Sequence, residues 1–517
     1  MSANITRQNC QILITAQEAF CAFEKAVLAS RSDIRAGFRL FDFDTKLRSD
    51  AAREVGETWF DLILHKVDEG VTFDLTVSDF DPIVRTALHG SAWRTVRFGE
   101  AIKQMSRNPD NISIRADMHD ARIGALPSLA LWPKARGLLE ETVDALETFD
   151  GDTKSQFLKE HPGLAALLTQ DGEAQVKPRL WPPEMLVPAT HHHKLAVIDQ
   201  ETVYIGGLDL NDRRYDTPAH DRTSQQTWHD IQLIIQDRTF AQDARTHLET
   251  FRVKGESGSQ SHQPNRPFLA TRSVRNGAGL LSMAPKTVEQ GLRHVTLEHI
   301  AGSRELIYLE TQFFRDREIA NALAAAAAKW PALGLVLILP AAPEDVAFEG
   351  AESSDARFGE YLQAECVSQV VEAFGPRAFV GSPVKPERAL RDDRSTLHQA
   401  PLIYVHAKVS IFDDRAAIVS SANLNGRSLS WDTEAGVELT STGLVTDLRS
   451  RCVSHWLAGG DSSAFTTGAD AIEAWSRLGA ANVAAAPQNR RGFLVPYDIE
   501  PGRRFGRKLS GIPEEMV

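Results

Sequence analysis

Cysteine is scarce in this chain: four among 517 residues, Cys10, Cys21, Cys366 and Cys452, without C-x-x-C spacing. That density excludes a disulfide framework and leaves the four as small buried hydrophobes in a reducing compartment. Long apolar runs are also missing; none reaches about 18 residues, so no transmembrane helix is expected. The N-terminal stretch MSANITRQNCQILITAQEAF lacks the basic region, apolar core and cleavage site of a secretory signal. These absences point to a cytoplasmic or peripheral membrane protein, or to one that leaves the cell without a cleavable signal. An excess of positive charge is absent as well, with 57 Lys and Arg against 69 Asp and Glu, a net charge of −12. That balance argues against a nucleic-acid partner, which needs a basic stripe to follow phosphates. It equally disfavours strong attraction to anionic membranes, while local basic patches stay compatible. Oligomeric state is left open, with a monomer compatible.

What is present is one pattern twice, His-x-Lys-x-x-x-x-Asp. The first copy is His192, Lys194 and Asp199 in HHHKLAVID; the second is His406, Lys408 and Asp413 in VHAKVSIFD. Each lies in an apolar, β-branched run that reads as a buried strand, on which His and Lys share a face and Asp looks elsewhere. A chance match to one copy is expected in roughly one chain in twenty. Two copies with similar flanks are far rarer: YIGGLDLNDRRYD follows the first and IVSSANLNGRSLS the second, each reading as strand, small-residue turn and polar loop. Such a pair suits phosphodiester chemistry, with one imidazole to attack phosphorus, another to protonate the leaving oxygen, and lysines to hold the phosphoryl charge. One copy supplies half of that.

With these residues the chain resembles the phospholipase D superfamily, specifically its two-motif phospholipases. GGLDLNDRRYDTPAHD and TWHDIQLII look like the first-motif neighbourhood of plant-type members, and FLATRSV, ELIYLETQFF and LGLVLILPAAPED follow the family's order. The likeness runs over roughly residues 36 to 440, with an echo in GFLVPYDIE. It implies an α/β fold of two pseudo-twofold-related α/β/α sandwich halves, 1–255 and 256–517, with a shared central active-site cleft. It also implies hydrolysis of a glycerophospholipid at a membrane surface to phosphatidic acid and a head-group alcohol, through a phosphohistidine, with alcohols able to replace water. His192 is then nucleophile and His406 acid and base, or the reverse. The other readings are a cardiolipin synthase-like transferase, a nuclease, and an inactive lipid-binding module. Plant members carry an N-terminal calcium-binding domain; this sequence opens instead on an amphipathic helix pattern, so no calcium dependence is expected.

Each catalytic imidazole needs a partner to fix its tautomer. Asp230 and Glu434 are the candidates, and the resemblance implies that they act across the axis, Glu434 on His192 and Asp230 on His406. Asn423 resembles the family's phosphate-contacting Asn; Asp209 stands at the matching place in the first half, where an anion would not favour phosphate. Asp199 and Asp413 each precede a turn, where a carboxylate accepts backbone N–H groups, so a structural part suits them. No cofactor and no metal is expected, because His191, His192 and His193 point to alternate faces of a strand. A buried core histidine is the plain alternative for His192 and His406.

Local patterns predict a helix opening at a capping box from Thr15 to Glu18, a strand in GFRLFDFD, a helix around 51–67 and strands around 71–77 and 112–116. Residues 149–190 read as an insertion or active-site loop, and 254–266 as a linker. In the second half helices are expected at 317–329 and near 358–374, a strand at 335–339, and a helix after Gly468. Trp132 and Trp181 lie in proline-bounded apolar stretches that read as loops able to dip into a lipid interface or to pack on the core.

Overall fold

A computed structural model describes residues 3–171, 175–179, 186–253, 266–276 and 282–517. Trp181 and nearly all of the expected linker, 254–265, including the expected boundary at 255, lie outside the described residues.

Twenty strands occur among the described residues. In the first half these are β1 (Cys10–Ile14), β2 (Asp33–Phe38), β3 (Thr72–Asp79), β4 (Ile112–Met118), β5 (Leu168–Asp171), β6 (Gln175–Pro178), β7 (Leu195–Ile198), β8 (Thr202–Gly206) and β9 (Ile231–Gln236). The second half continues with β10 (Phe268–Val274), β11 (Lys286–Gln290), β12 (Leu306–Glu310), β13 (Gly334–Ile338), β14 (Ala378–Pro383), β15 (Thr396–Leu397), β16 (Ala400–Pro401), β17 (Val409–Phe412), β18 (Ala416–Ser420), β19 (Glu434–Leu439) and β20 (Leu494–Pro496). Seven strands form one sheet in the order β1-β9-β8-β7-β2-β3-β4, and nine form another in the order β11-β10-β19-β18-β17-β12-β13-β14-β20. Both sheets follow one plan. Three parallel strands (β2-β3-β4 or β12-β13-β14) adjoin an antiparallel meander (β7-β8-β9 or β17-β18-β19), and an earlier strand pairs with the meander's last, β1 on β9 and β10 on β19, with β11 and β20 extending the second sheet.

Alternation along the strands explains why the two sheets share a core. Leu195 and Val197 of β7 join Val409 and Ile411 of β17 in one central cluster, while Ala196 and Ile198 turn outward to a second cluster under helix Thr15–Ala29, with Phe20 and Phe23. Phe412 turns to a third cluster beneath helices Arg317–Lys329 and Ser354–Phe374. Strands buried on both faces must be apolar throughout, as LAVI and VSIF nearly are. The result is an α/β structure layered as helices, sheet, shared core, sheet and helices.

Several local expectations need correction. Thr15 does not cap its helix: it sits at φ 62°, and Glu18 reaches back to the N–H of Ile14 instead, at 2.8 Å. The strand expected at 37–44 is shifted to Asp33–Phe38, because β2 pairs with β7 only through Gly37. The helix expected at 51–67 is two, Asp50–Arg53 and Trp59–Asp68; a Cβ on Gly56 would meet Asp61, whose carboxylate accepts the N–H groups of Glu57 and Thr58 and restarts the helix. Trp132 is not in a loop but in helix Ala125–Glu147, half-buried against a cluster that includes Leu139 and Leu164. That helix joins Gly151–Glu160 and the β5–β6 hairpin of the expected insertion in a satellite core that begins upstream of residue 149.

Candidate active site

The motif His and Lys do not lie on strands. β7 and β17 begin just after Lys194 and Lys408, and the preceding residues are held by the opposite half. His192 and His193 donate their backbone N–H groups to the carbonyl of Thr433 at 2.8 and 2.9 Å, and Thr433 donates to Thr190 at 3.0 Å. In the other copy His406 and Ala407 donate to the carbonyl of His229 at 2.8 and 3.1 Å, and His229 donates to Tyr404 at 2.8 Å. Each stitch ends one residue before a carboxylate. Glu434 therefore meets His192, with Nδ1 3.0 Å from both carboxylate oxygens. Asp230 meets His406, with Nδ1 2.6 Å from Oδ2. Both acids are fully buried, so each holds its imidazole with one ring nitrogen fixed and Nε2 left for chemistry.

The residue fifteen positions after each motif His buttresses the acid serving the other one. Ser421 donates its hydroxyl to Glu434. A Cβ at Gly207 would stand 2.1 Å from Oδ1 of Asp230, so only glycine leaves that carboxylate its place.

Lys194 is fully buried and Lys408 nearly so. Lys194 donates to the carbonyl of His192 at 2.6 Å and lies 3.6 Å from Asp209. Lys408 reaches the carbonyl of His406 and, at 2.8 Å, its Nδ1. That nitrogen cannot donate to Asp230 and accept from Lys408 at once, so the lysine's position and the tautomer of His406 are linked. Burial pushes Lys408 down to about 7, against the pull of Asp230 and Glu434. Burial pushes Asp230 up to about 6, offset in part by Lys408. Burial, then Lys194 and Arg39, hold His192 well below its ordinary value; burial, then Lys408 and Lys194, do the same to His406. Both imidazoles are neutral near pH 7, the state in which one can attack phosphorus.

Asp209 is a counter-ion: it accepts the N–H of Leu40 at 2.9 Å, and against its burial Lys194 and Arg39 hold it below the usual carboxylate range. Asn423, at the matching position, donates weakly to Gln312 at 3.3 Å, and its buried Oδ1 has no partner. Asp199 and Asp413 stand at the far ends of β7 and β17, at φ 51° and 50°. Asp199 accepts N–H groups of Arg31, Ser32 and Asp33; Asp413 accepts those of Arg304, Glu305 and Leu306. Their carboxylates are spent on backbone, away from the imidazoles.

Sequence reasoning missed Arg39 and Arg427. Arg39 acts on His192, Lys194 and Asp209, and an arginine among the apolar residues of GFRLF was its only signal. Arg427 is held by both oxygens of Asp432 at 3.1 Å, and Asp432 also accepts the N–H of Thr190, which leads into the first motif. Their cationic field adds to that of the lysines, and the whole suits an oxyanion held without metal.

Residues 296–456 match the family model described as "Cardiolipin synthase, PLD-like domain". Phospholipase D1 of Schizosaccharomyces pombe is 26% identical over 335 residues, covering 46% of this chain and 24% of the relative. Phospholipase D1 of Saccharomyces cerevisiae is 23% identical over 397 residues, covering 57% and 22%. The matches thus span about a quarter of those relatives' length. Among solved structures, the phosphatidylserine synthase of Haemophilus influenzae Rd KW20 aligns over 86% of this chain and 85% of its own at 13% identity, TM-score 0.49. The PLD-like domain and the phospholipase D relatives support the phospholipase D superfamily.

Proposed function

We propose that the chain is a phospholipase D, cleaving the terminal phosphodiester of a glycerophospholipid to phosphatidic acid and a head-group alcohol. The observation that carries the proposal is the crossed pairing of His192 with Glu434 and His406 with Asp230 between two buried lysines. Nε2 of His192 attacks phosphorus, forming a P–N bond as the P–O bond to the head group breaks. The phosphodiester brings negative charge to His406, which takes up a proton and passes it to the departing alkoxide. His406 then deprotonates water, whose oxygen displaces His192 and releases phosphatidate. Lys194, Lys408 and Asn423 hold the non-bridging oxygens as charge grows. An alcohol in place of water gives a phosphatidyl alcohol by the same step.

The substrate lies in a bilayer, and among the described residues no helix is long and apolar enough to cross one, so contact with lipid in this reading is peripheral. The resemblance of the flanks to plant-type phospholipases belongs to the same proposal. A phosphatidyltransferase is the second reading, favoured by the description of the matching family model. Mixed-phospholipid liposomes with ethanol, and a DNA substrate in parallel, test both. Phosphatidylethanol formation that disappears in His192→Ala is the expected result. Transfer to glycerol or phosphatidylglycerol without hydrolysis selects the second reading, and DNA cleavage without lipid turnover overturns both.

A further inference from the structure

Behind Asp230 a second group of histidines converges, used by none of the chemistry above. His220 and His229 come from the segment between β8 and β9, and His455 from the last turn of helix Thr442–Trp456, in the other half. His220 and His229 are fully buried and His455 is 9% exposed. One nitrogen from each lies within 4.8 Å of the others.

The hydrogen bonds decide which nitrogens carry lone pairs. Nδ1 of His220 is 2.7 Å from Oδ2 of Asp216, and Nε2 of His229 is 2.8 Å from Oε2 of Glu310. Asp216 also accepts the N–H of Trp228 at 2.6 Å, and Glu310 accepts Tyr308 Oη at 2.6 Å and Trp456 Nε1 at 2.9 Å, so both acids act as acceptors. The lone pairs therefore sit on Nε2 of His220 and Nδ1 of His229. Nε2 of His220 lies 3.0 Å from Nε2 of His455. Nδ1 of His229 is buried with no partner at all, a costly state for a polar atom unless something else occupies it. Imidazoles whose outer N–H groups are held by carboxylates, and whose inner nitrogens converge, are built as metal ligands are. Asp216 and Glu310, both fully buried, supply the two negative charges that balance a divalent ion.

We propose that His220, His229 and His455 bind one divalent transition metal of the zinc class. At metal–nitrogen distances of about 2.0–2.1 Å a tetrahedral ion needs nitrogens about 3.4 Å apart, so an edge of up to 4.8 Å closes by as much as about 1.4 Å. Binding displaces the proton shared by His220 and His455. A groove of about 990 Å³ passes Pro218, Ala219, Arg451 and His455 and gives the ion a route in. Once bound, the ion ties the two halves together at His229, whose carbonyl holds the backbone of His406. The ion is a structural staple beside the site, and its test does not depend on lipid turnover.

The full chain, stripped with chelator, is titrated with zinc by calorimetry and with cobalt(II) by visible absorption. One equivalent of tight binding, a four-coordinate cobalt band and a raised Tm are expected in the wild type, with affinity at least 100-fold weaker in His455→Gln. His455→Cys keeps a donor and should retain the metal while adding a thiolate-to-cobalt band, so the question stays answerable if the Gln variant does not fold. No uptake by the wild type, or uptake that His455→Gln leaves unchanged, overturns the site.

Discussion

The two halves build one motif on one backbone plan, yet they treat its charge in opposite ways. In the first, Lys194 has a buried carboxylate, Asp209, 3.6 Å away, whose other oxygen accepts the N–H of Leu40. In the second, the matching residue is neutral Asn423, Lys408 falls to about 7, and the amide oxygen of Asn423 is unpaired. Burial lowers both lysines, and the first carboxylate opposing it is Asp209 for Lys194 and Asp230 for Lys408. One position, Asp209 in the first half and Asn423 in the second, thus gives the two lysines different surroundings.

The sharpest break between the halves is nucleophilic order. His192→Ala and His406→Ala should each lower phosphodiester turnover by about 10⁴-fold or more, since both steps need both imidazoles. Rapid-quench trapping should find phosphate on His192 and accumulate it where His406 is slowed. Phosphate found only on His406 in the wild type reverses the assignment. Next in size come the acids. Asp230→Asn and Glu434→Gln should each cost about 10²–10⁴-fold in kcat with little change in KM, and Gly207→Ala should resemble Asp230→Asn because its methyl group takes the carboxylate's place.

The pH profile sharpens the contrast further. Protonation of Asp230 near 6 unsettles His406, so kcat/KM should fall as pH drops through that range. Loss of the Lys408 proton near 7 should make it fall again on the alkaline side, with that limb moved upward in kcat because bound phosphate favours the charged lysine. Lys408→Arg should remove the alkaline limb, since a guanidinium stays charged. An alkaline limb unchanged in that variant would show that Lys408 is not the group titrating.

The smallest expected effects are on stability. Lys194→Met strands Asp209 in the core and should cost about 3 kcal/mol, with partial recovery in the double variant with Asp209→Asn. Lys408→Met removes a cation whose pKa burial lowers, so it should be neutral or stabilising by about 1 kcal/mol below pH 7. The sign follows from linkage: between about 7 and the ordinary lysine range the unfolded chain holds more protons at this group than the folded one, so wild-type stability rises with pH there. Chemical denaturation of the two Met variants measures the difference. Equal losses would mean that Asp209 does not distinguish the halves.

Much of this was legible because it repeats at a fixed spacing. The two motif copies, the loops after them and the alternation of helices and strands could be read from local pattern, and the Ala-rich helix Arg317–Lys329 lies where its composition predicts. What could not be read is non-local. That His192 and Lys194 lie off the strand depends on Thr433, far along the chain. Arg39 falls within a strand-like run, and the sequence shows no reason for a charge there until Asp209 is beside it. The His220, His229 and His455 group spans more than two hundred residues and has no ligand spacing to betray it. The part of Asp209 was in doubt from sequence for the same reason: its partner Lys194 is fifteen residues away and one strand over.

The crossed acids also bind the two halves in a historical sense. A change at Glu434 is felt at His192, 242 residues upstream, and a change at Asp230 at His406, so each half carries a component that is useful only to the other. Neither can be borrowed, swapped for a relative's or allowed to drift alone without disarming its neighbour. A chain built this way should accept recombination at its surface insertions far more readily than between its halves, and chimaeras joined at the linker should lose turnover even when both parents are active and the product folds.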